Sequence, residues 1–326
     1  MDGFLKCVDE LNKSLYGLLL LSLFLQCLTF DLMRFSVIIL TLLCFCTASF
    51  SQVAASNTCK RTPVFATVVG FSREVILTTS YPGKKGLVMA DPGNMARFYQ
   101  DSSWVAEGYM GSFTTDEEGN IYLLPAPHVN LNDNPIDKNN YIYRVDSKTG
   151  KLSVFAKLPN MADKNSPNAF GVLGIAYHCS HQSLYISTVN GSQRKKELGR
   201  IYQVDIKTGK MLDSLTAFDA YGLLAVTIDE KEFLLVGSAR NSNLYQIQLD
   251  KKGGFGSPPI AVLTVAGLGP RGDDRIKKIE FNSRTFHIQL RGHEFNFNLS
   301  APSEDQQTLY EFSWNGKSWE KSRTSN

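Results

Sequence analysis

The hydrophobic positions of this chain fall into short alternating runs separated by turn residues, and one run is written twice. Ile142-Tyr143-Arg144-Val145-Asp146-Ser147-Lys148-Thr149-Gly150-Lys151 returns 59 residues later as Ile201-Tyr202-Gln203-Val204-Asp205-Ile206-Lys207-Thr208-Gly209-Lys210, and a looser copy begins at Leu244, 43 residues further on. In each copy apolar and polar residues alternate, the period of a half-buried strand, and the run ends in an Asp-x-x-x-Gly turn. A repeat of about 40 to 60 residues built from short strands means stacked β units, most often propeller blades.

From residue 62 onward such runs come in fours. The first group covers 64–70, 74–79, 86–91 and 95–99, and the second 108–115, 120–124, 141–146 and 152–158. The third covers 172–178, 183–188, 200–205 and 211–216, and the fourth 222–228, 233–238, 244–249 and 260–265. The last and least regular covers 275–281, 285–290, 308–314 and 318–321. Val, Ile, Leu, Tyr and Phe fill these runs, and Gly, Asn, Asp and Pro bound them. No sustained helical period follows residue 60. Twenty short strands without helices exclude a doubly wound or α/β-barrel enzyme, and a sandwich has fewer strands and no fourfold rhythm. The pattern predicts an all-β chain, a β-propeller of four-stranded antiparallel blades. Five repeats are readable; six is the alternative if the last repeat hides two blades or tail strands complete one.

Blade geometry sorts the connections. Tight polar turns at 116–119, 146–150, 205–209 and 229–231 belong to one face, and the long connections 125–140, 159–171, 190–199 and 267–274 to the other. Function is sought on the long loops.

The N-terminus follows another pattern. Residues 16–30 and 35–50 are almost wholly apolar, with Asp31 and Arg34 between them. Met33-Arg34, an apolar core over 35–46 and Ser49-Phe50-Ser51 have the layout of a secretory signal cut before Gln52, with Met33 as the true start. The chain then divides into a leader over 1–51 and one propeller over 52–326, secreted, or periplasmic in a bacterium. The alternative is an N-terminal membrane anchor over 16–50, which places Asp31 and Arg34 in lipid at a few kcal/mol each. The net charge of +3 over 326 residues is too small to imply nucleic acid. Cys7, Cys27, Cys44 and Cys46 fall in the leader. Cys59 and Cys179 remain, an even number, expected to pair in an oxidising compartment. A bridge across 120 residues stabilises by something over about 4 kcal/mol; two unpaired thiols are the alternative. Asn190-Gly191-Ser192 and Asn298-Leu299-Ser300 are glycan acceptors in a eukaryote.

Three phrases carry a resemblance. Glu107-Gly108 leads through Asp116-Glu117-Glu118-Gly119-Asn120-Ile121-Tyr122. Pro167-Asn168 leads through Gly174-Ile175-Ala176-Tyr177 to Leu184-Tyr185-Ile186. Asp219-Ala220-Tyr221-Gly222 leads through Leu224-Ala225-Val226 to Phe233-Leu234. Over roughly residues 105–240 they resemble the SMP-30/gluconolactonase/strictosidine-synthase-like (NHL-like) propeller superfamily, whose members usually have six blades. In the gluconolactonase branch the resemblance implies a divalent cation, often calcium, in the central channel. Carried over residue by residue, its ligands would be Glu107, Asn168 and Asp219, an oxygen-only set suited to Ca²⁺ or Mg²⁺ rather than zinc. Such a cation would polarise a lactone or ester carbonyl and bind the attacking water. The chain departs from the family pattern at Tyr109, where Pro is expected, at Ala169, where Gly is expected, and after Asp219, which Gly does not directly follow. A fourth ligand is not visible.

Other residues change the picture less. Asn130, Asn132 and Asp133 make an oxygen-rich loop without the central Gly and terminal Glu of an EF-hand. With Asp273 they are read as rim residues, and His128 beside them is a candidate general base by location alone. His178-Cys179-Ser180-His181 resembles a metal tetrad in one dimension, but it falls in a tight turn opposite the long loops and is read as structural. Arg271-Gly272-Asp273 is an integrin-type tripeptide of the kind chance produces. There is no Gly-x-Ser-x-Gly elbow and no P-loop. Two functions remain on one scaffold. One is a divalent-metal-dependent hydrolase of a lactone or small ester. The other is a non-catalytic, monomeric propeller binding a small molecule, glycan or protein on its long-loop face. Convergent acidic or amide oxygens at the channel mouth favour the first, and an aromatic or aliphatic plug the second.

Overall fold

The repeated Asp-x-x-x-Gly runs fold into hairpins closed by their own aspartates. In the computed structural model, Asp146 Oδ1 accepts from the backbone N–H of Thr149 at 2.9 Å and of Lys148 at 3.1 Å. Asp205 Oδ1 accepts from Thr208 N–H at 2.7 Å. Gly150 and Gly209 both sit at φ +69°, where a side chain would be strained. The chain divides into units of residues 1–52 and 53–326. The structure describes residues 59–322 except 72–73, 127–131, 162–169, 229, 283, 296 and 298–306. The leader or anchor expected over 1–51 therefore lies outside the described residues.

Among the described residues nineteen strands form five antiparallel sheets, each in simple chain order. Blade 1 holds β1 (Ile76–Thr78), β2 (Val88–Asp91) and β3 (Asn94–Tyr99). Blade 2 holds β4 (Met110–Thr115), β5 (Ile121–Pro125), β6 (Tyr141–Val145) and β7 (Leu152–Lys157). Blade 3 holds β8 (Val172–His178), β9 (Ser183–Thr188), β10 (Arg200–Asp205) and β11 (Met211–Thr216). Blade 4 holds β12 (Ala220–Ile228), β13 (Lys231–Ser238), β14 (Asn243–Gln248) and β15 (Ile260–Thr264). Blade 5 holds β16 (Arg275–Asn282), β17 (His287–His293), β18 (Thr308–Trp314) and β19 (Trp319–Lys321). The fold is an all-β propeller of five blades; the allowance for a sixth is not supported, because the last repeat makes one four-stranded sheet.

Burial falls from the axis outward. Every residue of β8 and β9 is buried, whereas β11 and β15 are mostly exposed. The first strands of successive blades, β4, β8, β12 and β16, pack on one another. Apolar clusters fill the seams, for example Tyr122, Leu124, Tyr177 and Ile186 between blades 2 and 3.

These inner strands share an irregularity. The register shifts between Met110 and Phe113, Val172 and Ile175, Ala220 and Leu223, and Ile276 and Lys278, a bulge near the start of each. Neighbouring blades touch there. Ser112 Oγ donates to Leu173 O at 2.7 Å, and Thr79 Oγ1 to Gly111 O at 2.8 Å. A Cβ on Gly174 would lie 2.4 Å from Tyr221 O, and one on Gly222 2.5 Å from Lys277 O.

Blade 1 departs from the expectation of four strands. The apolar run 64–70 forms a one-turn helix, α1 (Phe65–Val68), instead of a strand. Ser147 captures it, accepting from Val64 N–H through Oγ (3.1 Å) and from Phe65 N–H through its carbonyl (2.8 Å). Gly70 at φ +84° ends it, with Gly70 N–H bonded to Thr67 O and Phe71 N–H to Ala66 O, the six-to-one pattern of a helix C-terminus. A second short helix, α2 (Ser102–Ala106), links blades 1 and 2 behind the Asp101 cap. Its Trp104 is fully buried and donates from Nε1 to Gly150 O at 2.8 Å.

Cys59 and Cys179 form a disulfide with a Cα–Cα distance of 6.3 Å. From there Arg61 N–H donates to Asp116 O at 3.1 Å. The segment thus runs from blade 3 across the turns of blade 2 to blade 1. Among the described residues no helix is long and apolar enough to cross a membrane.

Two outcomes are expected. Gly222→Ala should destabilise by about 1–3 kcal/mol, because the new methyl meets backbone that cannot turn away; urea unfolding measures it. Reducing the disulfide should remove on the order of 4 kcal/mol, read as a lower melting midpoint in reductant, and a Cys59→Ser variant should melt at the reduced value in either buffer.

Candidate functional site

The mouth of the channel lies where β4, β8, β12 and β16 begin. Of the three residues that the resemblance implies as cation ligands, Glu107 and Asp219 reach this level from the segments before β4 and β12, and Asn168 lies outside the described residues, as do His128 and Asn130.

Glu107 follows α2. Its Oε2 accepts from Lys138 Nζ at 2.9 Å and from the Tyr143 hydroxyl at 2.9 Å. Glu107, Asn134, Lys138, Asn139 and Tyr143 line a pocket of only about 10 Å³, room for about one water. Asp219 is fully buried. Its Oδ1 accepts from Ser192 Oγ at 2.5 Å and from Gly199 N–H at 2.8 Å, and its Oδ2 pairs with the Arg240 guanidinium. Arg240 also donates to the carbonyls of Arg194 (2.9 Å) and Lys196 (2.8 Å), so the basic cluster is folded onto this pair through its backbone. Burial pushes the Asp219 carboxyl above the usual carboxylate range, against the pull of Ser192 and Arg240.

The same pairing recurs around the mouth. Asp274 is fully buried and accepts from Arg271 Nε at 2.5 Å and from the Tyr310 hydroxyl at 2.7 Å. Asp133 pairs with Lys85. Four carboxylates thus each hold a basic side chain. Glu107 and Asp219 have no partner in common, and neither belongs to a converging group of three His, Cys, Asp or Glu side chains among the described residues. A hard cation needs several oxygens with uncompensated negative charge. Here Glu107 is paired with Lys138 and Asp219 with Arg240.

What fills the mouth is apolar. Phe170 and Leu173 of blade 3, Tyr221 and Ala239 of blade 4 and Phe295 of blade 5 form one buried cluster with Val189. Phe170 and Phe295 meet edge to face at 5.2 Å, and Tyr221 lies 4.8 Å from Phe295. Arg240 stacks 4.3 Å over Phe297, which packs on the plug. The rim residues Asn132 and Asp273 are exposed. In the Arg271-Gly272-Asp273 tripeptide the arginine points to Asp274 and Thr308, so it is not presented for adhesion. Gly267-Leu268-Gly269-Pro270-Arg271-Gly272 has the spacing of a nucleotide loop, but strand β16 follows it rather than the helix such a loop opens. Asn190 is 1% exposed, which removes it as a glycan acceptor in the folded chain.

On the opposite face the turn read as structural gains a third member. His178 ends β8, His181 lies in the following turn, and Glu232 comes from β13 of the next blade. Their ligand atoms all lie within 4.8 Å of one another. His178 Nε2 is 3.6 Å from Glu232 Oε1, and His181 Nε2 bonds Glu232 Oε2. Burial, with His181 adding to it and Glu232 opposing, holds the His178 imidazole down to about 4, so it is neutral near pH 7. The signal in the sequence was spacing: Glu232 stands 51 residues beyond His181, one blade on, beside the equivalent hairpin turn.

No protein family matches the chain, and no curated protein matches it. Solved structures that it resembles include a gluconolactonase from Xanthomonas campestris, at 14% identity over 67% of this chain and 64% of that one, with a TM-score of 0.43. A luciferin-regenerating enzyme matches at 12% identity over 74% and 77%, with a TM-score of 0.44. A PQQ-bound aldose sugar dehydrogenase from Streptomyces coelicolor matches at 12% over 70% and 72%, with a TM-score of 0.39. The chain spans less than two thirds of the gluconolactonase. At these values no activity is transferred.

Removing the cation beside Asp219 should be severe. Arg240→Met leaves a buried carboxylate alone and should cost about 3–5 kcal/mol near neutral pH. A carboxyl raised in the folded state favours folding in acid and opposes it as pH rises through its folded value. The deficit against wild type should therefore shrink between about pH 7.5 and pH 5, in paired urea titrations.

Proposed function

We propose that this chain is an exported binding propeller rather than a hydrolase, and that it engages an extended partner, a glycan chain or a protein segment, across its long-loop face. The observation that carries this is the plug of Phe170, Leu173, Tyr221 and Phe295 where a channel reaction would take place. The pairing of Glu107 with Lys138 and of Asp219 with Arg240 supports it, since both carboxylates are committed inside the fold. Export is supported by the Cys59–Cys179 bridge, which persists in oxidising compartments.

Purified protein is expected to hydrolyse none of a panel of sugar lactones and aryl esters, with or without Ca²⁺ or Mg²⁺, and neither ion should move its melting midpoint. Turnover that requires Ca²⁺ and disappears in Glu107→Gln would sink the proposal. On a glycan array and in a secretome capture, a partner held by the wild type should be released by Asp273→Lys, a charge reversal at the exposed rim.

A further inference from the structure

The turn face carries a built cluster that the long-loop reading does not use. We propose that His178, His181 and Glu232 bind a Zn²⁺-class divalent transition ion that bridges blades 3 and 4.

The donor set is two imidazoles and one carboxylate, the nitrogen and oxygen chemistry of zinc and its transition-metal neighbours rather than of calcium. Around a tetrahedral zinc, with bonds of about 2.0–2.1 Å, ligand atoms stand about 3.3 Å apart. His178 Nε2 and Glu232 Oε1 are already 3.6 Å apart, and the whole set lies within 4.8 Å. Side-chain shifts of about an ångström close it.

Three further observations point the same way. His178 is almost wholly buried, at 5% side-chain exposure, and presents its Nε2 to the Glu232 carboxylate at 3.6 Å, beyond direct hydrogen-bond distance. The support is rigid: His178 is paired in register with Ser183 across the hairpin, Cys179 is tied to Cys59, and the Glu232 carbonyl accepts from Leu249 N–H at 2.9 Å. The charge is right as well. Asp250 acts electrostatically on His181, and Glu232, Asp250 and Asp213 all act on Tyr185 beside the cluster. Glu232 thus faces both imidazoles, and Asp250 adds negative charge toward His181. His181 and Glu232 keep 11% and 21% exposure, which leaves solvent access for the remaining coordination position. The ion would sit on the side of the ring away from the aromatic mouth, so this inference stands or falls apart from the proposed function.

The test uses the full chain, thiols alkylated without reductant and metal stripped with EDTA. Titration with Zn²⁺ alone, followed by calorimetry, should give one site per chain and a rise in the melting midpoint of several degrees, with no rise from Ca²⁺. Co²⁺ should give visible absorption bands of a low-coordinate site. His181→Gln and Glu232→Gln should each weaken Zn²⁺ binding at least tenfold, while Glu107→Gln on the other face leaves it unchanged. Affinity should fall as the pH drops and the imidazoles protonate. No saturable Zn²⁺ or Co²⁺ binding by the wild type would overturn the proposal, and this arm does not depend on whether a variant folds. Binding of unchanged strength in folded His181→Gln and Glu232→Gln would overturn it too.

Discussion

Five sheets can close round one axis only if their innermost strands crowd together at one end. The chain meets this with a bulge near the start of β4, β8, β12 and β16 and with glycine where strand meets strand. Gly174 faces the carbonyl of Tyr221, and Gly222 that of Lys277, at distances that exclude even a methyl group. Where the contact is looser, a small hydroxyl bridges it, Ser112 to Leu173 and Thr79 to Gly111. The rest follows from that crowding. Phe170, Tyr221 and Phe295 fill the mouth from three blades.

A buried, apolar mouth also dictates what its charges must do. A carboxylate taken out of water without a partner is expensive. Asp219 and Asp274 are both fully buried, and each is met by a guanidinium and a hydroxyl, from Arg240 and Ser192 in one case and Arg271 and Tyr310 in the other. The positive charge that the resemblance would assign to a bound ion is supplied here by the chain's own arginine and lysine. The two faces thus invert expectation: the loop face that resembles a cation site is self-neutralised, and the turn face holds the converging donors.

How much of this was legible depended on the range of the forces involved. Strands β8 to β11 fall where alternation and turn residues put them, because a hairpin closed by Asp205 and Gly209 is decided within a few residues. The run 64–70 misled for the opposite reason. It is apolar enough for a strand, but its conformation is set by Ser147, 83 residues from Val64. Only the Gly70-Phe71 ending marked it locally as a helix terminus. The partners of Glu107 and Asp219 were illegible for the same reason: Lys138 and Arg240 stand 31 and 21 residues on, and no spacing rule pairs them. His178 and His181 read as structural because they fall in a tight turn opposite the long loops, and four consecutive residues cannot show that Glu232 arrives from the adjacent blade.

The strap that begins at Cys59 gives the molecule a direction for bearing load. Among the described residues blade 1 has three strands where the others have four, and it would be the first to peel under a pull from the N-terminal side. The bridge to Cys179 moves the point of attachment to the hairpin between β8 and β9, whose strands are buried throughout. Tension arriving from residues before 59 therefore enters the ring at its best-buried blade and is spread across the turns of blade 2 before it reaches α1. Breaking that one covalent bond would convert a propeller tethered at its middle into one tethered at its weakest edge.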